Sequence, residues 1–221
     1  INIPKSTLNL LSNKVKSLFM YWDKYMENNI EFWPLPGNFD MHTKSHCERV
    51  LVHAMRIGEA CGIDDDALVA LAEASIFHDT RRKDNYCDVG HGDRGADYYR
   101  DYCRKSKLKF LPETFATIKF HDRDDQQGEA YISKHAKEHT DRAIMIYHIF
   151  KDSDALDRYR MGDWCLNMEF LRIPEAKSMA SFALALVKET MDPTELQKMW
   201  DLIAPFKDKM IRAEKQKQNI K

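Results

Sequence analysis

Apolar residues recur at steps of three and four positions along most of this 221-residue chain. That period matches the 3.6-residue turn of an α-helix, whereas alternating strand-like runs are scarce. Only 8 glycines and 7 prolines interrupt the pattern. The spacing therefore predicts an all-α fold, a bundle of helices without a sheet.

The predicted helices are separated by short polar or glycine- and proline-containing segments. We expect helices over about 6–28, 43–61, 64–79, 95–105, 112–121, 133–154, 178–191 and 193–206, with a polar loop over 81–93. The acidic run Asp64–Asp66 is typical of a helix N-terminus, because carboxylates there accept from free backbone N–H groups and favour the positive end of the helix.

Length and composition restrict the organisation and the partners. A chain of this length can bury one substantial core. We predict an N-terminal helix and loop over residues 1–40 that pack on the core, a helical domain over residues 41–206, and a charged C-terminal tail over residues 207–221. The formal net charge of −1 provides no strong field for nucleic acid, and no apolar run reaches the roughly 20 residues that span a bilayer.

The cysteines and the first residues favour a cytoplasmic protein. Five cysteines are present, and no two form a C-x-x-C pair, so reduced thiols are expected rather than a disulfide framework or a zinc ribbon. The first residues show no signal-peptide pattern. The amphipathic helices at the two ends could pack on the core or on a second chain, which leaves an oligomer open.

Residues of the types that bind metals stand at the ends of the predicted central helices. They are His46, the adjacent pair His78-Asp79, and Asp154. His46 lies four residues before Val50 and so shares the buried face of its helix. Imidazoles and carboxylates that converge from several helices can hold a divalent cation and leave positions open for water and a phosphate. The sequence therefore predicts a metal site among the central helices and, with it, a hydrolase.

The same residues resemble the motifs of the HD-domain superfamily of metal-dependent phosphohydrolases. That pattern has a histidine early in one helix, a His-Asp pair that ends a later helix, and a distant aspartate in a D-x-D-x-[LW]-D segment. Here the matching segments are His46-Cys-Glu-Arg-Val50, His78-Asp79 and Asp152-Ser-Asp-Ala-Leu-Asp157. In addition, 77–84 (FHDTRRKD) and 91–96 (HGDRGA) are similar to a bacterial subgroup with HD-x-G-R followed by H-G-x-x-[GS]-A. The resemblance covers roughly residues 40–160.

The resemblance implies a ligand set for one divalent ion, made of His46, His78, Asp79 and Asp154. Two neutral imidazoles and two carboxylates suit Mn, Fe, Co, Ni or Zn better than Mg. Three interpretations of His91 and His121 are open. Both residues could complete a second metal site, both could face the substrate phosphate in a one-metal enzyme, or His91 could be a loop residue that hydrogen-bonds to the backbone. One or two ions are therefore expected.

The resemblance also assigns roles around the metal in the hydrolysis of a small phosphate ester. Asp79 or Asp84 would orient the attacking water, and His91 or His121 would protonate the leaving oxygen. The basic residues that follow the ligands, Arg82, Lys83 and Arg94, would bind the substrate phosphate, because guanidinium groups fit phosphate oxygens in pairs.

The chain departs from several substrate classes of the superfamily. Members that hydrolyse guanosine tetraphosphate or deoxynucleoside monophosphates carry a glutamate where Arg82 stands, and the G-Y-P segment of the cyclic-dinucleotide phosphodiesterases is absent. We expect a phosphohydrolase that acts on a small phosphomonoester or phosphodiester such as a nucleotide. Two alternatives remain open: a di-iron oxygenase on the same scaffold, and a ligand-sensing module without catalysis.

The other histidines carry weaker signals. His42 and His46 are four residues apart, as are His135 and His139, and histidines at this spacing can chelate zinc. Neither pair has the glutamate of an H-E-x-x-H metalloprotease. We expect the pair at 135 and 139 to be exposed, and His53 to be a core histidine with one hydrogen bond.

Overall fold

The structure, a computed structural model, describes residues 3–36, 41–85 and 88–209. These residues contain no strand, which confirms the predicted all-α bundle. Their α-helices, in chain order, are α1 Lys5–Leu8, α2 Asn13–Asn29, α3 Lys44–Ala60, α4 Asp65–Phe77, α5 His91–Lys105, α6 Pro112–Phe120, α7 Asp125–His135, α8 Thr140–Leu156, α9 Pro174–Ser178, α10 Ala180–Thr190 and α11 Pro193–Ile203. Short 3₁₀ turns follow at Lys137–His139, Asp157–Met161, Met168–Phe170 and Ala204–Phe206.

Helices α3, α4 and α8 form the centre of the bundle and pack against one another. Helix α4 is mostly apolar after its first turn, and its residues from Ala67 to Phe77 are buried except for Val69, as expected for a helix that neighbours surround. Helix α2 covers α3 and α4, while α5 and α6 pack on the other flank of α4. Phe19 of α2, Phe77 and Phe150 of α8 are fully buried in one continuous core.

Polar side chains fix where several helices begin. Asp64 accepts a hydrogen bond from the backbone N–H of Ala67 at 2.7 Å, so the predicted acidic start of α4 is confirmed. The predicted first helix from residue 6 is wrong at its beginning, because the chain turns between α1 and α2. Ser12 caps α2 there by accepting from the N–H of Val15 at 3.3 Å.

Two further boundaries differ from the sequence expectation. The predicted loop over 81–93 ends early, because Gly90 adopts a left-handed φ of 83° and α5 starts directly at His91. The predicted helix over 133–154 is broken, because Lys137 has a positive φ of 45° and turns the chain between α7 and α8. The helical spacing of apolar residues continues across this break, because α7 and α8 pack on each other and both turn apolar faces to that contact.

Parts of the predicted organisation lie outside the described residues. These parts are 1–2 and 37–40 of the N-terminal segment and 210–221 of the charged tail. Cys87 also lies outside them, while Cys47, Cys61, Cys103 and Cys165 are free thiols. Among the described helices, none is long and apolar enough to cross a membrane.

A buried carboxyl group on α2 makes stability depend on pH. Asp23 is 1% exposed, and burial together with the nearby Glu48 carboxylate raises its pKa to about 7. In the unfolded chain the pKa returns to an ordinary value near 3.8. The folded state therefore favours the protonated acid, and stability falls as pH rises from about 4 through 7.

We predict that Asp23→Asn removes this loss of stability. The variant should melt like the wild type near pH 3.5 and be more stable at pH 8, by roughly 2–4 kcal/mol. Thermal unfolding followed by circular dichroism across this pH range is the measurement, with the exposed Asp163→Asn as the control. Identical pH profiles for the Asp23→Asn and wild-type proteins would contradict the assignment.

Candidate metal centre

Five helix ends carry the predicted ligands to one place. The N-terminal ends of α3 and α5 and the C-terminal ends of α4, α6 and α8 meet around a small polar centre inside the bundle. The residues brought together are His46, His78, Asp79, His91, His121 and Asp154. All of them except Asp154 are buried, and 33% of the Asp154 side chain remains exposed. The centre therefore opens toward solvent on the side of α8.

The first group of ligand atoms belongs to His46, His78 and Asp154. His46 Nε2 lies 3.2 Å from His78 Nε2 and 3.3 Å from Asp154 Oδ1. Asp79 Oδ2 lies 3.6 Å from the first imidazole and 3.7 Å from the second. Metal–ligand bonds of about 2.1 Å separate neighbouring ligands by roughly 3.0–3.4 Å. The atoms of His46, His78 and Asp154 are spaced as the ligands of one ion, and Asp79 Oδ2 lies a little farther from both imidazoles.

The second group uses the other oxygen of the same carboxylate. Asp79 Oδ1 lies 3.3 Å from His91 Nε2 and 3.6 Å from His121 Nε2, and the two imidazole nitrogens are 2.9 Å apart. Asp79 Oδ1 is buried and accepts no hydrogen bond from the described residues. A buried carboxylate oxygen without a donor is costly unless a cation compensates it, and the Arg82 guanidinium at 3.6 Å does so in part. Asp79 thus faces both groups, one oxygen toward each.

The four histidines are all oriented through their other ring nitrogen. Each Nδ1 lies 2.7–2.9 Å from an oxygen: Asp157 Oδ2 for His46, and the backbone carbonyls of Ser75, Asp88 and Ile118 for His78, His91 and His121. A carbonyl only accepts, so each Nδ1 carries the proton and each Nε2 presents a lone pair. Lone pairs that face each other at about 3 Å repel unless a proton or a cation lies between them. The tautomers therefore fit metal binding.

A buried carboxylate holds His46 in place. Asp157 lies directly after α8 and is 0% exposed, and it is paired with Arg49, whose Nε and Nη2 donate at 2.6 and 3.1 Å. Burial opposes ionisation, but Arg49 outweighs it and keeps the pKa of Asp157 below its ordinary range. The carboxylate fixes the imidazole ring and increases its basicity as a ligand.

The ligands are mostly deprotonated near neutral pH. Burial lowers the pKa of His78 to about 3. Burial alone would raise the pKa of Asp79 and of Asp154, but the adjacent imidazoles outweigh it and both values are lowered. His121 is the exception, because Asp79 outweighs burial and raises its pKa. Neutral imidazoles and ionised carboxylates are the forms that bind metal.

His42 belongs to this centre, although its sequence signal was weak. Its Nδ1 lies 2.7 Å from Asp79 Oδ2, and it forms a third possible ligand group with His46 and Asp79. Burial lowers the pKa of His42 to about 4, so the ring is neutral and its N–H donates to the carboxylate. Arg160 Nη2 lies 3.3 Å from the same nitrogen but makes no hydrogen bond to it, since both groups are donors. The spacing of four residues from His46 was the available signal, whereas nothing in the sequence pointed to Arg160.

Close approach of backbones positions His91. A Cβ on Gly92 would lie 2.8 Å from the carbonyl oxygen of Lys119, and one on Gly95 would lie 2.7 Å from that of His78. The first turns of α5 can therefore pack against the ends of α4 and α6 only with glycine at both positions. This packing explains the H-G-x-x-G spacing in physical terms.

The three predicted substrate-binding residues lie in different surroundings. Arg82 is 6% exposed, and its Nη1 lies 3.1 Å from His91 Nε2. Lys83 is exposed, and its backbone N–H donates to Asp88 at 2.7 Å. Arg94 pairs with Asp88 at 2.5 Å and donates to the carbonyl of Arg81. Arg82 thus points into the centre, whereas Arg94 holds the preceding segment in place.

The remaining candidates lie apart from the ligand groups. Asp84 contributes its backbone carbonyl to Arg82 Nε at 3.2 Å, and among the described residues its carboxylate is in none of the three groups. His135 and His139 are exposed, as predicted. His53 is fully buried against Phe182, and the expected single hydrogen bond is wrong, because neither ring nitrogen has a partner among the described residues.

Comparison of the chain with family models, with curated proteins and with solved structures gave no match. The resemblance to the HD-domain superfamily therefore rests on the sequence motifs alone.

We predict that substitutions of Asp154 and Asp152 have different effects on the affinity for a divalent ion. Asp154→Asn should weaken divalent-ion affinity by at least on the order of 10–100-fold, the loss typical even of an outer partner of a ligand. Asp152→Asn is the matched control, because Asp152 instead accepts from Arg172 and Ile173. It should lower the melting temperature and leave the affinity unchanged. Calorimetric titration with Mn²⁺ measures both, and equal affinities in the two variants would refute the assignment of Asp154.

Proposed function

We propose that the protein is a metal-dependent phosphohydrolase of the HD type, which acts on a small phosphomonoester or phosphodiester such as a nucleotide. The observation that carries this proposal is the position of Asp79. One buried carboxylate faces two histidine-rich groups, with Oδ2 toward His46 and His78 and Oδ1 toward His91 and His121. A shared carboxylate of this kind is how a protein holds two ions near one substrate.

The donor set restricts the ions. Four imidazoles and two carboxylates suit Mn, Fe, Co, Ni or Zn, whereas Mg prefers oxygen and retains its waters. When bound, such ions supply Lewis-acid polarisation of a phosphoryl group and a lower pKa for water. The chain itself supplies fixed imidazole rings, a partly exposed carboxylate at Asp154 and a nearby guanidinium.

Arg82 supports a phosphate as the ligand. Its buried guanidinium lies 3.6 Å from Asp79 Oδ1, beside the ligand atoms and not in solvent. A guanidinium in that place can pair with two oxygens of a phosphate and offset the charge that develops during transfer. Lys83 follows on the exposed side and would extend the positive surface. Arg94 is assigned no substrate contact in this proposal, since it is paired with Asp88.

The assignment of acid and base follows from the free nitrogens. In His91 and His121, Nδ1 donates to a backbone carbonyl and Nε2 faces Asp79. Nε2 is therefore the nitrogen that could protonate a leaving group, and a second ion would bind to that same nitrogen. We therefore assign both as ligands when two ions bind, and as phosphate contacts when one ion binds. Asp79 and Asp154 remain the carboxylates that can orient water. Asp84 is not used.

The same centre fits a second candidate function. Four imidazoles around a bridging carboxylate also suit iron, and a di-iron site could activate oxygen for an oxygenase reaction. The observation that favours hydrolysis is the buried Arg82, which an anionic substrate would use. A ligand-sensing module without catalysis would keep the binding of metal and phosphate and lack turnover.

We predict that Mn²⁺-loaded protein hydrolyses members of a panel of phosphate esters and that Asp79→Asn abolishes the activity. Loss of the shared carboxylate removes a ligand from both groups, so turnover should fall by more than about 1,000-fold, the scale of a lost electrostatic group in a catalytic site. Asp152→Asn, outside the ligand groups, is the control and should keep its rate at a temperature where it is folded.

The competing functions give different results in the same experiment. Release of phosphate that is unaffected by Asp79→Asn would refute the proposal. Oxygen uptake by Fe(II)-loaded protein, without phosphate release, would identify an oxygenase. Tight nucleotide binding without either reaction would identify a sensing module.

A further inference from the structure

The two ligand groups differ in the positive charge that surrounds them. Arg82 Nη1 lies 3.1 Å from His91 Nε2 and 3.6 Å from Asp79 Oδ1. These two atoms belong to the second ligand group, so a guanidinium already touches the atoms that would hold the second ion. Two cations cannot share these atoms without strong repulsion.

The fold fixes Arg82 in this position. Its side chain is 7% exposed, it lies three residues after Asp79, and its Nε donates to the carbonyl of Asp84 at 3.2 Å. His91, in turn, is fixed by the carbonyl of Asp88. The contact between the guanidinium and the second group is therefore made by two anchored side chains.

The first group has a different electrostatic balance. Two carboxylates, Asp79 and Asp154, face His46 and His78. Two guanidinium groups lie around it: Arg160 donates to the carbonyls of Met41 and Asp157 and contacts His42, and Arg49 pairs with Asp157. The first group thus has two carboxylates at its ligand atoms against one in the second, and among the described residues no arginine lies within ion-pair distance of those atoms.

We propose that Arg82 makes occupancy of the second group depend on an anionic ligand. The first group fills alone in the ligand-free protein. The second group takes its ion when a phosphate pairs with the guanidinium and draws it away from His91 and Asp79. This inference rests on the proposed metal centre and adds its order of assembly.

The physical argument is thermodynamic linkage. A phosphate paired with Arg82 removes a competing cation from the ligand atoms and adds negative charge beside them. If phosphate tightens the second ion by some factor, the second ion must tighten phosphate by the same factor. A protein built this way completes its two-ion centre chiefly when the phosphate is bound.

The test is a titration of metal-free protein with Mn²⁺, followed by calorimetry and by the electron paramagnetic resonance signal of coupled Mn²⁺ pairs. The wild type should bind one ion tightly and a second weakly, and inorganic phosphate should tighten the second by on the order of tenfold. Arg82→Gln should bind the second ion on the order of tenfold more tightly without phosphate, and phosphate should add little.

Arg81→Gln is the matched control. Arg81 is the adjacent arginine, and its guanidinium stacks on the ring of Tyr98 at 3.3 Å, away from the ligand groups. This variant should bind both ions as the wild type does. Near-ultraviolet circular dichroism of each variant checks that the bundle is folded.

The outcomes separate this inference from the proposed function. Two ions of equal affinity in the wild type, with no effect of phosphate, would overturn the role of Arg82 and leave the metal centre intact. That measurement uses only the wild type, so it tests the role of Arg82 even if Arg82→Gln does not fold. A wild type that binds no ion would refute both the metal centre and the role of Arg82.

Discussion

Repulsion between converging lone pairs dominates the centre of this bundle. The fold turns the Nδ1 protons of four histidines toward fixed oxygens, and it therefore points four Nε2 lone pairs at the two oxygens of Asp79 and at each other. Such an arrangement is unfavourable in a buried site without a cation or shared protons. The raised pKa of His121, caused by Asp79 against the effect of burial, is one sign of it.

Helix ends are well suited to build such a site. Within a helix the backbone carbonyls are used internally, whereas the carbonyls of the last turn are free to accept from side chains. His78 and His121 follow the last residues of α4 and α6, and they donate to the carbonyls of Ser75 and Ile118, three residues earlier. The local geometry of a helix terminus thus selects the tautomer. The apolar length of α4 then carries the pair into the core.

Sequence reasoning predicted the candidate ligands that converge, because their signal is local. A histidine on a buried helical face and a His-Asp pair at a helix end can be read from spacing alone, and His46, His78 and Asp154 do converge. Contacts between distant segments were not readable. Arg160 reaches His42 across 118 positions, and Arg49 pairs with Asp157 across 108. The start of α5 at His91 was also missed, since it depends on the left-handed conformation of Gly90.

The three aspartates of the 152–157 segment show how much more helical geometry could have predicted. Successive residues of a helix are turned by about 100°, so Asp152 and Asp154 point roughly 200° apart, whereas Asp154 and Asp157 differ by about 60°. One pair of carboxylates can therefore reach the same imidazole, and the third must face elsewhere. Asp154 and Asp157 do contact the two nitrogens of His46, while Asp152 binds Arg172 on the far side of α8. The segment thus supplies a candidate metal ligand, the residue that orients a second candidate ligand, and a structural ion pair, and their positions follow from the period of the helix.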